Sequence, residues 1–234
     1  MLENQSTALL GPRVILVPYR RHHVPRYHEW MSDPAVREAT ASEPLTLEEE
    51  FAMQESWRVD QDKMTFIVLA QTEPTPLDAS ATIDELRNHD ALSAMIGDIN
   101  VFLSTTYTSD DEEGAHLESS SNPPAREHHP LPTGRRQCEV EIMIPMASNQ
   151  RKGYAFEALC IFLPYVSHVL GIPSNNFFAR IGATNSASLD LFVHKLGFER
   201  GKTSVFDEVE MTCSHDEWTF PKVPTVSLEY PAPP

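Results

Sequence analysis

The sequence predicts an α/β fold in which helices cover both faces of a mixed β-sheet. Three short apolar, β-branched runs at 14–19, 65–70 and 95–104 indicate strands. A fourth run, 138–144, alternates between polar and apolar residues and leads through a turn into a long helical segment. Since strand–helix units then finish the chain, this order favours one sheet flanked by helices.

The helices between the first strands are predicted from their first turns. Residues 23–31 form a helix whose early proline costs no hydrogen bond. Thr46 and Glu49 are spaced as a capping box that opens a second helix, with an apolar stripe as far as Trp57. The polar segment 71–94 is expected to be a loop that contains a short helix near 83–88.

The C-terminal half predicts two more strand–helix steps. A helix over 153–170 follows the fourth strand, and Pro164 is expected to kink or shorten it. Strand 176–181 and helix 187–196 come next, and 204–211 is the last strand.

Two segments are expected to lack stable structure. Residues 105–132 are acidic and rich in serine and proline, so they bury too little apolar surface to offset the cost of ordering. The proline-rich tail after Trp218 is expected to be mobile.

Composition restricts the class of protein. The 234 residues suffice for one large domain, and no run approaches the roughly 18 apolar residues of a membrane span. The start of the chain does not read as a secretory signal. The net charge of −16 argues against nucleic acid as a partner, because phosphate binding needs a basic surface. Three widely spaced cysteines favour a reducing compartment, cytoplasm or nucleus, and predict no metal site.

The turn NQRKGYA, residues 149–155, has the composition of a phosphate-binding loop. Gly153 lets the backbone approach an anion closely, and the following helix exposes unpaired N–H groups at its positive end. Arg151 and Lys152 add charge there, or they are ordinary solvated turn cations. An ordinary strand-to-helix turn is the alternative interpretation of the whole motif.

The wider context resembles a known family. A Q/RxxGxG/A turn after a strand, an asparagine after the next strand and a terminal LGF resemble the GNAT superfamily of acyl-CoA-dependent N-acetyltransferases. The stretches LLGPRVILVPYRRHHVPRYHEWM and MIGDINVFL are similar to the N-acetyltransferase 9-like family within it. The resemblance covers about residues 9–211, apart from 71–94 and 105–133, which look like insertions.

The resemblance implies a GNAT fold with a splayed strand pair that binds acyl-CoA. It implies a single domain over 9–213 with polar insertions at about 71–94 and 105–133, followed by a flexible tail over 214–234. The implied activity is transfer of acetyl from acetyl-CoA to a protein amine, an N-terminus or a lysine. Tubulin is among the substrates suggested for relatives, and neither nucleic acid, membrane nor metal is implied.

The resemblance also implies cofactor contacts. Turn amides would hold the pyrophosphate, and the end of the fourth strand would contact pantetheine and the thioester carbonyl, where a backbone N–H stabilises the tetrahedral intermediate. Asn185 matches a cofactor-contacting position, although it can equally cap the next helix. The implied cofactor-binding residues are Ile142, Met143, Ile144, Gln150, Arg151, Lys152, Gly153, Tyr154, Ala155, Asn185 and Phe192.

Proton transfer has several candidates. Glu139 and Glu141 share one face of their strand, and either can accept the amine proton, with Glu141 preferred; otherwise both are sheet-face carboxylates bound to cations. Many superfamily members carry a tyrosine acid on the last helix, where this chain has Phe192. Water, Tyr154 or His194 would then protonate the thiolate.

Two other functions remain open from the sequence. The chain can be a cofactor-binding or microtubule-associated module whose catalysis is vestigial, or an enzyme that acetylates a small metabolite amine. Asp98 and Glu48 to Glu50 can face a cationic substrate, whereas a charge run on a helix is by default a solvated face.

Overall fold

The computed structural model describes residues 2–71, 77–78, 80–106 and 134–230. Most of the segment 105–133, which was expected to be disordered, lies outside these residues. Its first two residues are described, and they continue a strand.

The described residues form nine strands and six helices around one sheet. The strands are β1 Thr7–Leu10, β2 Val14–Pro18, β3 Lys63–Ala70, β4 Met95–Thr106, β5 Arg135–Met143, β6 Phe177–Gly182, β7 Glu199–Thr203, β8 Glu208–Thr212 and β9 Val226–Glu229. The helices are α1 Val24–Met31, α2 Pro34–Ala39, α3 Leu47–Val59, α4 Ile83–His89, α5 Tyr154–Leu170 and α6 Ser186–Asp190, which a π-helical turn extends over Leu191–Lys195.

The sheet order is β7-β8-β6-β5-β4-β3-β2-β1-β9. All neighbours pair antiparallel except β5 and β6, which are parallel. A mixed sheet with helices was predicted, and this is confirmed.

The two faces of the sheet bury separate cores. Along β2, Val14 and Leu16 pack into the core under α5, while Ile15 and Val17 pack under α1 and α3. This alternation follows from the two-residue period of a strand. Because β2 is buried on both faces, its sequence is an uninterrupted apolar run.

Several element predictions are confirmed. The Thr46–Glu49 capping box opens α3: Glu49 N–H donates to the Thr46 hydroxyl at 3.3 Å and Thr46 N–H donates to the Glu49 carboxylate at 2.8 Å. The short helix expected near 83–88 is α4. Pro164 was expected to kink or shorten its helix, but α5 continues past it to Leu170. Packing of α5 on the sheet outweighs the hydrogen bond that a proline removes from a helix.

Two expectations at the C-terminal end need correction. The predicted strand 204–211 is a hairpin, since residues 204–207 form the turn between β7 and β8 with Asp207 at φ +56°. The predicted helix 187–196 is confirmed, since α6 and the π-helical turn together run from Ser186 to Lys195. The expected mobile tail contains β9, which adds to the sheet beside β1, and Tyr230 beyond it is buried.

Candidate active site

The candidate site is a cleft where β5 and β6 separate. The two strands pair in register at only two positions, Cys138 with Phe177 and Glu139 with Phe178. Beyond these pairs β5 continues to Met143 without a partner on that side. A cleft of about 800 Å³ opens there, large enough for a cofactor-sized ligand.

Four segments line the cleft. They are the end of β5, the turn before α5 with the first residues of that helix, α6 with its N-cap and its π-helical turn, and the small helix α2. Most of the predicted cofactor residues are brought together here, namely Ile142, Met143, Ile144, Gln150, Arg151, Gly153, Tyr154, Ala155 and Asn185.

The turn before α5 has the backbone shape of an anion-binding loop. Arg151 has φ +61°, and Gly153, the N-cap residue, has φ +79°. The side-chain amide of Gln150 donates to the carbonyl oxygen of Ile144 at 2.8 Å, so the loop folds back onto the end of β5. Since no described side chain caps this helix, its first N–H groups are available to a ligand in the cleft.

Two predicted cofactor residues are not at the cleft wall. Lys152 lies in the loop but is not among the residues that line the cleft. Phe192 is only 2% exposed, and its ring packs edge-on against Phe198 at 5.1 Å between centroids. Its side chain lies in the core, while Leu191 and His194 of the same π-helical turn line the cleft.

Asn185 fulfils one of its two predicted roles and is placed for the other. Its side chain accepts a hydrogen bond from Ser188 N–H at 3.1 Å, so it caps α6. It also lines the cleft.

The structure separates the two candidate carboxylates. Glu139 accepts a hydrogen bond from the Arg180 guanidinium at 2.6 Å, as expected for a sheet-face ion pair. Glu141 remains in contact with solvent but is crowded by protein. Desolvation and the charges of Asp98 and Glu139 raise its pKa to about 7, against the opposing charge of Lys63. Glu141 therefore has the pKa of a base that works near neutrality.

A buried polar group lies beside Glu141 on the same face of the sheet. Asn100 is its cross-strand neighbour and donates from its side chain to Asp98 at 2.8 Å. Burial raises the pKa of Asp98 to about 6. Tyr27 approaches the same carboxylate at 3.5 Å. The unused acceptor atoms Asp98 Oδ1 and Asn100 Oδ1 are completely buried and without a hydrogen-bond partner among the described residues.

α3 contributes one acidic residue to this region. Of the three predicted from the run 48–50, Glu50 is 1% exposed, whereas Glu48 and Glu49 are exposed at the surface. Burial raises the pKa of Glu50, and its charge acts on Tyr27 and Tyr19. The charges that raise the pKa of Glu141 are those of the strand residues Asp98, Glu139 and Glu208, whereas Glu50 acts on the two tyrosines.

The sequence interpretation missed the wall formed by α2. Asp33 caps this helix by accepting from Ala35 N–H at 2.9 Å, and Pro34 is its first residue. An N-cap aspartate followed by proline is a recognised helix start and gave the signal for this wall.

One group among the described residues has metal-like spacing, but its hydrogen bonds argue against a metal. His22, His23 and Asp90 bring their ligand atoms within 4.8 Å of one another. The ring atom Nδ1 of His23 accepts from Arg20 N–H at 3.0 Å, so the proton of this neutral ring is on Nε2, 2.7 Å from Asp90. That tautomer has no free nitrogen for a metal. The Tyr230 hydroxyl also donates to Asp90, so the group fastens the end of β9.

Comparison with known proteins agrees with this geometry. The model of the acetyltransferase (GNAT) domain matches residues 13–199. The alpha/beta-tubulin-N-acetyltransferase 9 of Drosophila melanogaster is 40% identical over 209 residues, covering 89% of this chain and 86% of that protein. The protein of the same name from Homo sapiens is 41% identical over 216 residues, covering 92% and 86%.

A solved structure shows the same fold. The spermidine N-acetyltransferase of Vibrio cholerae, in complex with CoA and spermine, matches with a TM-score of 0.54 at 13% identity, covering 92% of this chain and 95% of that one. The chain therefore belongs to the GNAT acetyltransferases, within the N-acetyltransferase 9-like family. It is an N-acetyltransferase, and no described helix is long and apolar enough to cross a membrane.

Proposed function

We propose that this enzyme transfers an acetyl group from acetyl-CoA to a protein amine, an N-terminus or a lysine. The observation that carries the proposal is the β5–β6 cleft, which runs from unpaired strand edge to a helix start with a left-handed glycine. The tubulin acetyltransferase names of the fly and human relatives support tubulin as the acceptor to test first.

The cleft accommodates the parts of acetyl-CoA in sequence. The N–H groups of the turn around Gly153 bind the pyrophosphate at the positive end of α5. The arm then runs along the edge of β5 from Ile144 to Ile142. A backbone N–H of that edge stabilises the oxyanion that forms at the thioester carbonyl.

The chemistry is direct attack in a complex of both substrates. Glu141 accepts a proton from the acceptor ammonium, and the neutral nitrogen attacks the thioester carbon. The C–N bond forms, the nitrogen loses its second proton to water, the C–S bond breaks, and CoA leaves as a thiolate. Phenylalanine has no proton to give, so Phe192 cannot protonate the thiolate. That proton comes from water, Tyr154 or His194, and both side chains line the cleft.

The acceptor side is acidic and suits a cation. Asp98 is buried near Glu141, and the charges of both carboxylates favour an approaching ammonium group. Nucleic acid and membrane are not proposed partners. A cytoplasmic location, with the nucleus as alternative, is proposed because all three cysteines are free and buried.

Calorimetry with acetyl-CoA tests the pyrophosphate loop. Gly153→Glu places a carboxylate in the loop, where even a Cβ would lie 3.0 Å from the Arg13 guanidinium. Gly171→Glu is the matched control, because Gly171 at the other end of α5 has φ +63° and no atom within 4 Å of its would-be Cβ. Binding by wild type and by Gly171→Glu, and its loss in Gly153→Glu, is the expected result.

The alternative function is tested by the same calorimetry together with an acetylation assay. An interaction module with vestigial catalysis is favoured by one observation, the absence of an acid at Phe192. It predicts acetyl-CoA binding without acetylation of tubulin or of basic peptides. If the folded wild-type protein does not bind acetyl-CoA, the proposed transfer from acetyl-CoA is refuted.

A further inference from the structure

The turn between β1 and β2 packs directly against the start of α5. A Cβ on Gly11 would lie 2.4 Å from Cδ1 of Ile161 and 2.9 Å from Oε1 of Glu157. Only glycine therefore fits at this contact without a shift. This close packing places Arg13, at the end of the turn, against the loop that precedes α5, outside the cleft.

Arg13 binds the loop and the helix at the same time. Its Nε donates to Glu157 Oε2 at 2.8 Å, and its backbone N–H donates to Oε1 at 2.6 Å. Val14 N–H donates to the same Oε1 at 3.1 Å. Glu157, 4% exposed, is thus a buried anchor that fixes the guanidinium in place.

The two remaining guanidinium nitrogens reach loop carbonyls. Arg13 Nη1 donates to the carbonyl oxygen of Lys152 at 2.9 Å, and Nη2 donates to the carbonyl oxygen of Gly153 at 3.4 Å. A peptide group is planar and trans, so its N–H points opposite to its C=O. Holding the Lys152 carbonyl towards Arg13 therefore turns the Gly153 N–H away from Arg13. The second bond supports the Gly153 carbonyl, which already accepts from Glu157 N–H as the helix begins.

These orientations matter because of where the cleft lies. Gly153 and Tyr154 line the cleft, whereas Arg13 does not. We propose that Arg13 is a positioning residue: from behind the loop it orients the backbone N–H groups that bind the pyrophosphate of acetyl-CoA. This inference rests on the proposed function and adds a residue outside the NQRKGYA turn.

Arg13 acts on affinity for the diphosphate and not on the chemical step. Its own charge is offset by Glu157, and it contacts no part of β5 near the thioester site. Its loss should therefore weaken only the donor that carries a pyrophosphate. S-acetylpantetheine has the same thioester and arm but no phosphate, which makes it the discriminating probe.

The experiment measures kcat and KM of Arg13→Met with both donors and one basic acceptor peptide. We expect KM for acetyl-CoA to rise about 10- to 100-fold, as for loss of charge-assisted hydrogen bonds, with kcat nearly constant. KM for S-acetylpantetheine should stay within about twofold of the wild-type value. Arg87→Met is the matched control, since Arg87 is an exposed helix cation paired with Asp84.

Each outcome decides the matter. An unchanged KM for acetyl-CoA, or an equal rise for both donors, overturns the role of Arg13 while leaving the proposed function standing. A wild-type protein that does not bind acetyl-CoA overturns both. If Arg13→Met does not fold, Arg13→Lys replaces it; an ammonium cannot serve two carbonyls and a carboxylate in fork geometry, so KM for acetyl-CoA alone should still rise.

Discussion

Replacing Glu141 by glutamine should remove the proposed base, the group that would activate the acceptor amine. A positioned general base contributes about 10²- to 10⁴-fold to the rate, which corresponds to about 3–5 kcal/mol of activation free energy. Glutamine keeps the size and polarity of the side chain, so the loss should appear in kcat and not in folding.

The structure also predicts the shape of the pH profile. Glu141 has a pKa of about 7, raised by desolvation and by Asp98 and Glu139, and it accepts a proton only when ionised. It is then about 90% ionised at pH 8 and about 10% at pH 6. Wild-type kcat/KM should therefore fall about tenfold from pH 8 to pH 6. The acceptor amine adds its own pKa, and this second dependence should remain in Glu141→Gln.

The assay follows release of the CoA thiol from acetyl-CoA with a basic peptide as acceptor, between about pH 5.5 and pH 9. Glu139→Gln is the informative comparison, because Glu139 lies two residues away on the same face but is held by Arg180. It should cost less than Glu141→Gln and retain the dependence near pH 7. If Glu141→Gln keeps its rate within about threefold and the wild-type pH profile, Glu141 is not the base.

Two stability predictions test other parts of the structure. Burial raises the pKa of Asp98 from 3.8 to about 6, so the folded state holds its proton more tightly and stability falls as pH rises between these values. The difference of about two pH units corresponds to about 3 kcal/mol, and Asp98→Asn should be more stable than wild type by up to that amount at pH 8. In urea unfolding this gain should shrink to about half at pH 5; an equal gap at both pH values would refute the cause. Tyr230→Phe should lower the free energy of unfolding by about 1–3 kcal/mol, because it removes the bond to Asp90 but keeps the ring beside Arg20; unchanged stability would show that β9 is held by its strand pairing alone.

The sequence predicted the parts of the fold that local rules govern. β2 is a continuous apolar run because both its faces are buried, and α3 carries its capping box at Thr46. Both signals lie within a few residues of the element they define. The same holds for the start of α5, which was predicted at Gly153 and is found there, with Gly153 as the N-cap residue.

The errors occur where distant contacts decide. Phe192 was assigned to the cofactor because it matches the family's tyrosine position on the last helix, but its side chain is buried in the core against Phe198. β9 reads as a proline-rich tail, and only pairing with β1 and the contact between Tyr230 and Asp90 make it a strand. Arg13 is separated by 144 residues from Glu157, so no local pattern indicates their contact.

In the proposed function, the position of β5 lets one strand serve both substrates. Its side chains alternate, so Glu139 and Glu141 face α1 and α3, while Val140 faces α5. The backbone edge of β5 at Ile142 faces neither layer of helices. It lies in the plane of the sheet, on the side where β5 no longer pairs with β6. A donor bound along that edge and an acceptor beside Glu141 therefore meet at one strand without crossing the sheet. Direct transfer then needs no covalent acyl-enzyme, because the strand itself brings the two substrates together.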